Sequence, residues 1–283
     1  FFLPPRVVTN DDLSKYMDTT DEWIQERTGI KERCYVDAGV GSSDLAIPAT
    51  EQALKAADLQ VGDIDFIIFA TSTPDFYAPG SGCLIQEKMG FNKIGALDIR
   101  VQCSGFLYGL SIAEQYIKTG VFENILLIGA EVQSTAMDLT NEGRDTAVIF
   151  GDGAGAAVLS REEDTSKGIL STHLHSEGEH AEELALIAPG MGKRWVTDII
   201  EDNNPDDTSY LPHMNGQFVF KNAVVRFAEV IQEGLAQNKL TAADIDMLIP
   251  HQANLRISQF VQKQFKLNDD QVYNNIQKYG NTT

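Results

Sequence analysis

A repeated order of motifs is the feature of this 283-residue sequence that most restricts its possible folds. Segment 59–68 (LQVGDIDFII) matches segment 240–249 (LTAADIDMLI), and each follows an amphipathic helical pattern and leads into an apolar run typical of a buried strand. The match continues, because segment 86–92 (QEKMGFN) parallels segment 262–268 (QKQFKLN). We therefore predict two α/β units packed as a pseudo-symmetric pair, one spanning residues 1–160 and the other residues 161–283.

The two units differ in how far they extend past their shared motifs. In the first, a predicted strand over 94–101 ends at a turn of small residues around Cys103, and the chain runs on to Ser160. In the second, the equivalent turn is formed by residues 280–283, where the sequence ends. We expect the carboxyl-terminal helix and strands of the second unit to be missing from this sequence.

The composition excludes several classes of function. A formal net charge of −19 argues against general binding to nucleic acids or to anionic membranes, so an anionic partner would need a local basic patch. No apolar run approaches the length of a membrane-spanning helix. Three cysteines, Cys34, Cys83 and Cys103, have the spacing of neither a zinc site nor a disulfide framework. We predict no metal and a reducing compartment, the cytoplasm.

Cys103 is the first candidate functional residue, because it lies where a predicted strand turns into a predicted helix. Apolar residues recur at helical spacing from Phe106 to Ile117, and Gly120 is a C-terminal signal. The free N–H groups and the dipole of a helix start stabilise a thiolate, the nucleophilic form of cysteine. A buried structural cysteine is equally compatible with this local pattern. As a nucleophile, Cys103 is expected to have a lowered pKa and to react faster than Cys34 and Cys83.

Two polar residues would join Cys103 if equivalent strand ends of the two units meet. His251 follows the predicted strand 245–250, a common place for functional residues in α/β sheets, and Asn281 lies in the turn equivalent to that of Cys103. Taken singly, a histidine is more often structural and Gly-Asn is an ordinary turn dipeptide. Together the three could accept an acyl group on sulfur and stabilise, with two N–H donors, the enolate formed when a β-keto acid loses CO2.

Two further segments are singled out by glycine content and polarity. Gly151, Gly153 and Gly155 interrupt the apolar run 148–159, which favours a tight backbone turn beside a site. A phosphate loop is disfavoured there, because no Lys-Ser/Thr pair and no helix follow. Residues 189–212 are polar and predict a long surface loop of the kind that often serves as a lid.

Five segments in this order carry a family resemblance: 21–30 (DEWIQERTGI), 103–106 (CSGF), 149–157 (IFGDGAGAA), 250–257 (PHQANLRI) and 280–282 (GNT). With them, the sequence resembles the β-ketoacyl-acyl-carrier-protein synthase III family of the thiolase superfamily. The resemblance implies a thiolase-like α/β fold with two halves stacked in layers (αβαβα). It also implies that acyl-CoA acylates Cys103, that His251 and Asn281 drive decarboxylation of malonyl-acyl-carrier protein, and that the carbanion attacks the acyl-cysteine, which initiates fatty acid synthesis.

The resemblance further implies positions for the substrates and partners. CoA is expected at Trp23, Arg27, Thr28, Arg144 and Asn254, with Trp23 and Arg144 flanking the adenine. Docking of the carrier protein is expected at Lys221, Arg256 and Lys263, and the acyl pocket at Ala78 and Phe220. The family is homodimeric and uses acyl-CoA as a substrate, without a permanently bound cofactor.

Two alternatives stay open at this point. A related thiolase-superfamily enzyme could condense longer acyl-CoAs in specialised lipid or secondary metabolism, or could transfer the acyl group to a heteroatom. A catalytically idle scaffold homologue is the second, and retention of Cys103, His251 and Asn281 together argues against it. The choice of primer is also open, because Ala78 stands where many family members carry a bulky aromatic residue, and because the 189–212 segment is longer than in typical members.

Overall fold

The computed structural model describes residues 1–164, 167–187 and 211–283. In these ranges the strands are β1 (Arg6–Thr9), β2 (Glu32–Tyr35), β3 (Phe66–Ala70), β4 (Gly95–Ile99), β5 (Asn124–Glu131), β6 (Gly153–Ser160), β7 (Leu184–Ala185) and β8 (His213–Met214). The helices are α1 (Asn10–Leu13), α2 (Asp21–Thr28), α3 (Ser42–Ala57), α4 (Ser81–Met89), α5 (Gly105–Lys118), α6 (Arg144–Ala147), α7 (Gly216–Gln237), α8 (Leu255–Phe265) and α9 (Ile276–Tyr279).

Four strands form the main sheet, in the order β4-β3-β5-β6. Strand β3 is parallel to both β4 and β5, and β6 is antiparallel to β5. Ala70 lies opposite Ile99 on one side and Gly129 on the other, so the carboxyl ends of three strands meet at one edge. This edge is where an open α/β sheet places its ligands.

Both faces of this sheet are covered by helices, because apolar side chains occupy successive positions of its central strands. Ile67 and Phe69 of β3 belong to a buried cluster with residues of α3 and α4, whereas Ile68 packs with Ala113 of α5 in a second cluster. All of these side chains except Phe69 are branched or small, and each fully buried large one contributes about 1.5–3 kcal/mol to folding. The continuous apolar runs therefore predict a sheet buried on both faces, as the structure has it.

Helix boundaries follow capping chemistry. The hydroxyls of Thr9 and Thr20 accept N–H groups at the starts of α1 and α2. Gly120 follows α5 with a φ of +73°. Helix α4 begins at Ser81, where the carboxylate of Asp98 accepts the N–H groups of Ser81 and Gly82 and so caps the helix from another strand.

The second repeat has the same order of elements but little strand pairing within the described residues. Asp63 and Asp244 accept the backbone N–H of residues 60 and 241 at equivalent turns, each at 2.8 Å. The predicted strand 245–250 is wrong in extent: Leu248 alone forms a parallel bridge, to Val272. This parallel bridge corresponds to the β3–β4 pairing and supports the division at residue 160, which remains a proposal.

Two other predicted segments need comment. Within the apolar run 148–159, strand β6 begins only at Gly153, and Phe150 pairs with Asn281 in an isolated bridge. The predicted loop 189–212 lies outside the described residues except for Leu211 and Pro212. Within the described ranges, no helix has the length and apolar character required to cross a bilayer.

Candidate active site

Cys103 lies at the strand-to-helix junction that the sequence predicts. It is the middle residue of a short 3-10 turn, Gln102–Ser104, which leads directly into α5. Gln102 adopts a φ of +43°, a conformation that non-glycine residues rarely adopt. Gly105 packs against Ala70 of β3 so closely that a Cβ would lie 3.1 Å from that of Ala70. The small residue after the turn thus lets the start of α5 approach the sheet edge.

The predicted lowering of the Cys103 pKa is wrong. Burial raises the pKa of the Cys103 thiol to about 11, and the charge of Glu131 adds to the effect, against a lesser lowering by a backbone hydrogen bond. A helix start stabilises the thiolate, but desolvation of the sulfur and the charge of Glu131 act in the opposite direction and outweigh it. Cys83 is exposed and Cys34 is buried, and the expected order of reactivity among the three thiols stays a prediction.

His251 lines the same cavity as Cys103. Burial lowers its pKa to about 4, and no other cause contributes. The imidazole is therefore neutral at pH 7, with one nitrogen as donor and the other as acceptor. A neutral ring can donate a hydrogen bond to a developing oxyanion without adding a buried charge.

Asn281 is buried and is held by backbone hydrogen bonds to the first half of the chain. Its N–H donates to the carbonyl of Ile149 at 2.9 Å, and its carbonyl accepts the N–H of Gly151 at 3.0 Å. Its side-chain Oδ1 accepts the N–H of Thr283 at 2.8 Å. Because Oδ1 is engaged, Nδ2 is the donor end of the amide that remains for a ligand.

The Arg33 side chain packs beneath the backbone contact between Gly151 and Asn281, a role that was not predicted from the sequence. Its guanidinium is fully buried and donates to the carbonyl of Val148 at 2.8 Å and to Oδ1 of Asn10 at 2.8 Å. A Cβ at Gly151 would lie 2.5 Å from the Tyr279 carbonyl and 2.9 Å from the Cβ of Arg33. The prediction of a close backbone approach beside the site is confirmed at Gly151.

Two adjoining cavities, of about 310 and 710 Å³, meet at these side chains. Cys103, His251 and Asn281 line both of them, so the structure brings the three predicted residues together. The larger cavity extends from this point toward Trp23 and α7. A thiol and two neutral donors around one cavity can accept an acyl group and then bind an oxyanion.

The predicted CoA residues gather at the far end of the larger cavity. Trp23, Arg27, Thr28 and Asn254 line it. The guanidinium groups of Arg27 and Arg144 lie 4.4 and 4.8 Å from the centre of the Trp23 ring. Asn254 donates from Nδ2 to the carbonyl of Arg27 at 2.9 Å and so joins α2 to the start of α8. Stacking an adenine between Trp23 and Arg144 requires about 7 Å, two contact distances, so Arg144 would have to move outward.

The other predicted residues are divided between the cavity and the surface. Phe220, Lys221 and Arg256 line the larger cavity, and the Arg256 guanidinium lies 5.4 Å from the centre of the Phe220 ring. Lys263 is exposed on α8 and lines neither cavity. Ala78 is also exposed and, among the described residues, lines neither of these two cavities.

Glu131 is a cavity residue that the sequence argument missed. It ends β5, and it is buried in the wall of the smaller cavity. The sequence does contain a signal for Glu131, because it is a polar residue at the end of a buried apolar strand, the same pattern from which His251 was predicted. Arg33 offered no such signal, because its environment is assembled from residues distant in sequence.

Comparison with known proteins identifies the family. The family model for 3-oxoacyl-[acyl-carrier-protein] synthase III matches residues 97–178, and the model of its C-terminal domain matches residues 235–283. A β-ketoacyl-[acyl-carrier-protein] synthase III of Caldanaerobacter subterraneus is 45% identical over 282 residues, which are 100% of this chain and 83% of the relative. One of Rhodospirillum centenum is 43% identical over 287 residues, 100% of this chain and 84% of the relative.

Solved structures agree with this assignment and confirm the predicted thiolase-like α/β fold. The crystal structure of 3-oxoacyl-[acyl-carrier-protein] synthase III from Aquifex aeolicus superposes with a TM-score of 0.88 at 39% identity, over 99% of this chain and 83% of that one. The chain belongs to the β-ketoacyl-[acyl-carrier-protein] synthase III family of thiolase-like acyltransferases and has the function of that family.

Proposed function

We propose that Cys103 is the acyl acceptor and that His251 and Asn281 are the oxyanion donors of a decarboxylative condensation between an acyl-CoA primer and malonyl-acyl-carrier protein. The observation that carries this proposal is that all three side chains line both cavities. The position of Cys103 at the start of α5 adds to it, because the free N–H groups there can bind the oxygen of a tetrahedral intermediate.

The first half-reaction is transfer of the acyl group to sulfur. A bond forms between Sγ of Cys103 and the acyl carbon, the bond between that carbon and the CoA sulfur breaks, and the thiol proton of Cys103 ends on CoA. Because the Cys103 pKa is raised to about 11, little thiolate exists at neutral pH. Loss of the proton therefore has to accompany attack on the thioester.

The second half-reaction creates the carbon nucleophile. When the malonyl thioester loses CO2, negative charge develops on its carbonyl oxygen, and two N–H donors at that oxygen lower the barrier. A neutral His251 and the free Nδ2 of Asn281 have the required character. The enolate carbon then bonds to the acyl carbon, the bond from that carbon to the sulfur of Cys103 breaks with its electron pair on sulfur, and the sulfur takes up one proton from water to restore the thiol.

Substrate binding is proposed along the larger cavity. Trp23, Arg27, Thr28, Arg144 and Asn254 are the proposed CoA residues. Arg256 and Lys221, at the cavity rim, are local basic groups on an acidic chain that suit an acidic carrier protein, and Lys263 lies further along the same helix as Arg256.

A homodimer and a cytoplasmic location complete the proposal. Phe76 and Tyr77 are 55% and 70% exposed beside Ala78, and an exposed aromatic pair of this kind suits burial against a second subunit. In such a dimer Ala78 would contribute to the acyl pocket of the partner. The three free thiols suit a reducing compartment.

Mass spectrometry of the intact protein tests this proposal. We expect incubation with a panel of acyl-CoAs to add one acyl mass at Cys103, and subsequent malonyl-acyl-carrier protein to remove it as a β-ketoacyl product two carbons longer. Cys103→Ala serves as the control and should take up no acyl group. Acylation without a carbon–carbon product would favour transfer to a heteroatom, and acylation at Cys83 or Cys34 instead would overturn the assignment.

A further inference from the structure

Glu131 lines the cavity of Cys103 but has no part in the reaction proposed above. Its side chain is 5% exposed. Three donors hold its carboxylate: the N–H and hydroxyl of Ser72, at 2.8 and 3.0 Å, and the hydroxyl of Thr73, at 2.5 Å. Thr73 in turn accepts the N–H of Val132 at 2.8 Å. These hydrogen bonds join the segment that follows β3 to the end of β5.

Within the described residues, no side chain that is positively charged at neutral pH lines the cavity beside this carboxylate. The other titratable side chains that line the cavity are the Cys103 thiol, His251 and Tyr279. Among the residues that the structure describes, Glu131 is the only one with a side-chain carboxylate lining this cavity, and it forms no ion pair with a described residue. Burial raises the pKa of Glu131, whereas the hydrogen bonds from Thr73 and Ser72 lower it. These donors are suited to an ionised carboxylate.

We propose that Glu131 is a positioning residue for Cys103: its carboxylate, held by Ser72 and Thr73 in the wall of the cavity that Cys103 lines, is an anion there and disfavours the thiolate. The neutral thiol and the neutral acyl thioester meet no such repulsion, so Glu131 biases Cys103 toward its two uncharged forms. Glu131 gains and loses no bond in the reaction. This inference rests on the proposed role of Cys103 as acyl acceptor.

The test is the pH profile of Cys103 alkylation by iodoacetamide, followed at each cysteine by peptide mass spectrometry. Glu131→Gln keeps an oxygen acceptor for Ser72 and Thr73 but removes the charge. We expect its profile to move to lower pH, with Cys103 alkylated about threefold to tenfold faster at a given pH below the transition. Ser72→Ala, which removes one hydroxyl and keeps the charge, is the matched control and should not move the profile to lower pH. Cys34 is the internal control and should be unaffected in both variants.

Two results would overturn the inference: an unchanged Cys103 profile in Glu131→Gln, or the same displacement in Ser72→Ala. If Glu131→Gln does not fold, Glu131→Ala is measured by the same criterion, because it also removes the charge and leaves space for water beside the two hydroxyls. Alkylation needs neither acyl-CoA nor a carrier protein. An unshifted profile would therefore refute the role of Glu131 and leave the condensing activity intact, whereas loss of acylation at Cys103 would refute the proposed function whatever the profile shows.

Discussion

Cys103 and the pair His251 and Asn281 face the same cavities, but the two sides of the site are held in different ways. Cys103 follows β4, an edge strand of a four-stranded sheet with continuous pairing. His251 and Asn281 lie on segments whose strand pairing is limited to the isolated bridges at Leu248 and Asn281. The nucleophile is thus positioned by its own half, whereas Asn281 is positioned by hydrogen bonds from the other half. Substitution of Cys103 and substitution of His251 or Asn281 should therefore affect different chemical steps.

Removal of the nucleophile should give the largest effect. Cys103→Ala is expected to abolish acyl transfer from CoA, because no other thiol lines the described cavities, and to leave measurable decarboxylation of a malonyl thioester. Radiolabelled acyl-CoA measures the first activity, and release of CO2 measures the second. If Cys103→Ala still forms an acyl-enzyme, the division between the two sides does not hold.

Removal of one donor should slow the other step. Asn281→Ala is expected to reduce decarboxylation about 10²–10³-fold, as loss of one preorganised oxyanion donor does elsewhere, while self-acylation of Cys103 persists. His251→Ala should behave similarly. Asn268→Ala, an exposed asparagine of the same half that lines neither cavity, is the control and should retain both activities. Equal losses of acylation and decarboxylation in Asn281→Ala would instead indicate a collapse of the whole site.

The free energy of unfolding should depend on pH with opposite signs for His251 and for Cys103. For His251, a folded pKa of about 4 lies below the unfolded value of about 6.5, so the unfolded state binds more protons between these pH values. The free energy of unfolding should therefore fall as pH drops from about 6.5 to 4, by up to about 3 kcal/mol. His251→Gln should lessen this slope, as measured by urea denaturation at each pH; an unchanged slope would show that His251 is solvated in the folded state.

For the Cys103 thiol, the change in stability is expected at alkaline pH. Because the folded pKa of Cys103 is raised to about 11, the unfolded state loses its thiol proton first as pH rises above about 9. Stability should decline between about pH 9 and pH 11, and Cys103→Ala should lessen that decline. The same denaturation series, extended to alkaline pH, measures it, and an identical alkaline slope in the variant would contradict the raised pKa.

The smallest expected effect concerns the rim of the larger cavity. Arg256→Glu should raise the KM for malonyl-acyl-carrier protein about fivefold, roughly 1 kcal/mol, and barely change turnover of a free malonyl thioester. Added salt should reduce the difference, since the Debye length is about 8 Å at physiological ionic strength. Lys55→Glu, on an exposed position of α3 outside both cavities, is the matched control. Equal effects on the two substrates would place Arg256 inside the active site.

The sequence predicts the first half of this fold well, because its signals are local. The apolar run of β3, the period of α5 and the hydroxyl caps at Thr9 and Thr20 each depend on neighbours within a few residues. The strand-to-helix position of Cys103 follows from the same local patterns. The start of α4 has no such local signal, because its capping residue, Asp98, comes from a later strand.

The electrostatics of the site could not be predicted in this way. The pKa of Cys103 is set by burial and by Glu131, which lies on a different strand, and these outweigh the favourable helix start. Likewise, the buried guanidinium of Arg33 acquires its partners Asn10 and Val148 only through the tertiary fold. The residue types of a site are therefore readable from sequence, whereas their protonation depends on packing.

The bridge between Phe150 and Asn281 has a consequence for the order in which the molecule folds. It closes a loop of about 130 residues, and the entropy cost of such a closure is met only after both ends are ordered. Long-range contacts of this kind slow folding and form late. During synthesis, Cys103 and its sheet can fold long before residue 281 leaves the ribosome. Condensation, which needs Asn281, should thus be the last activity that the maturing chain acquires.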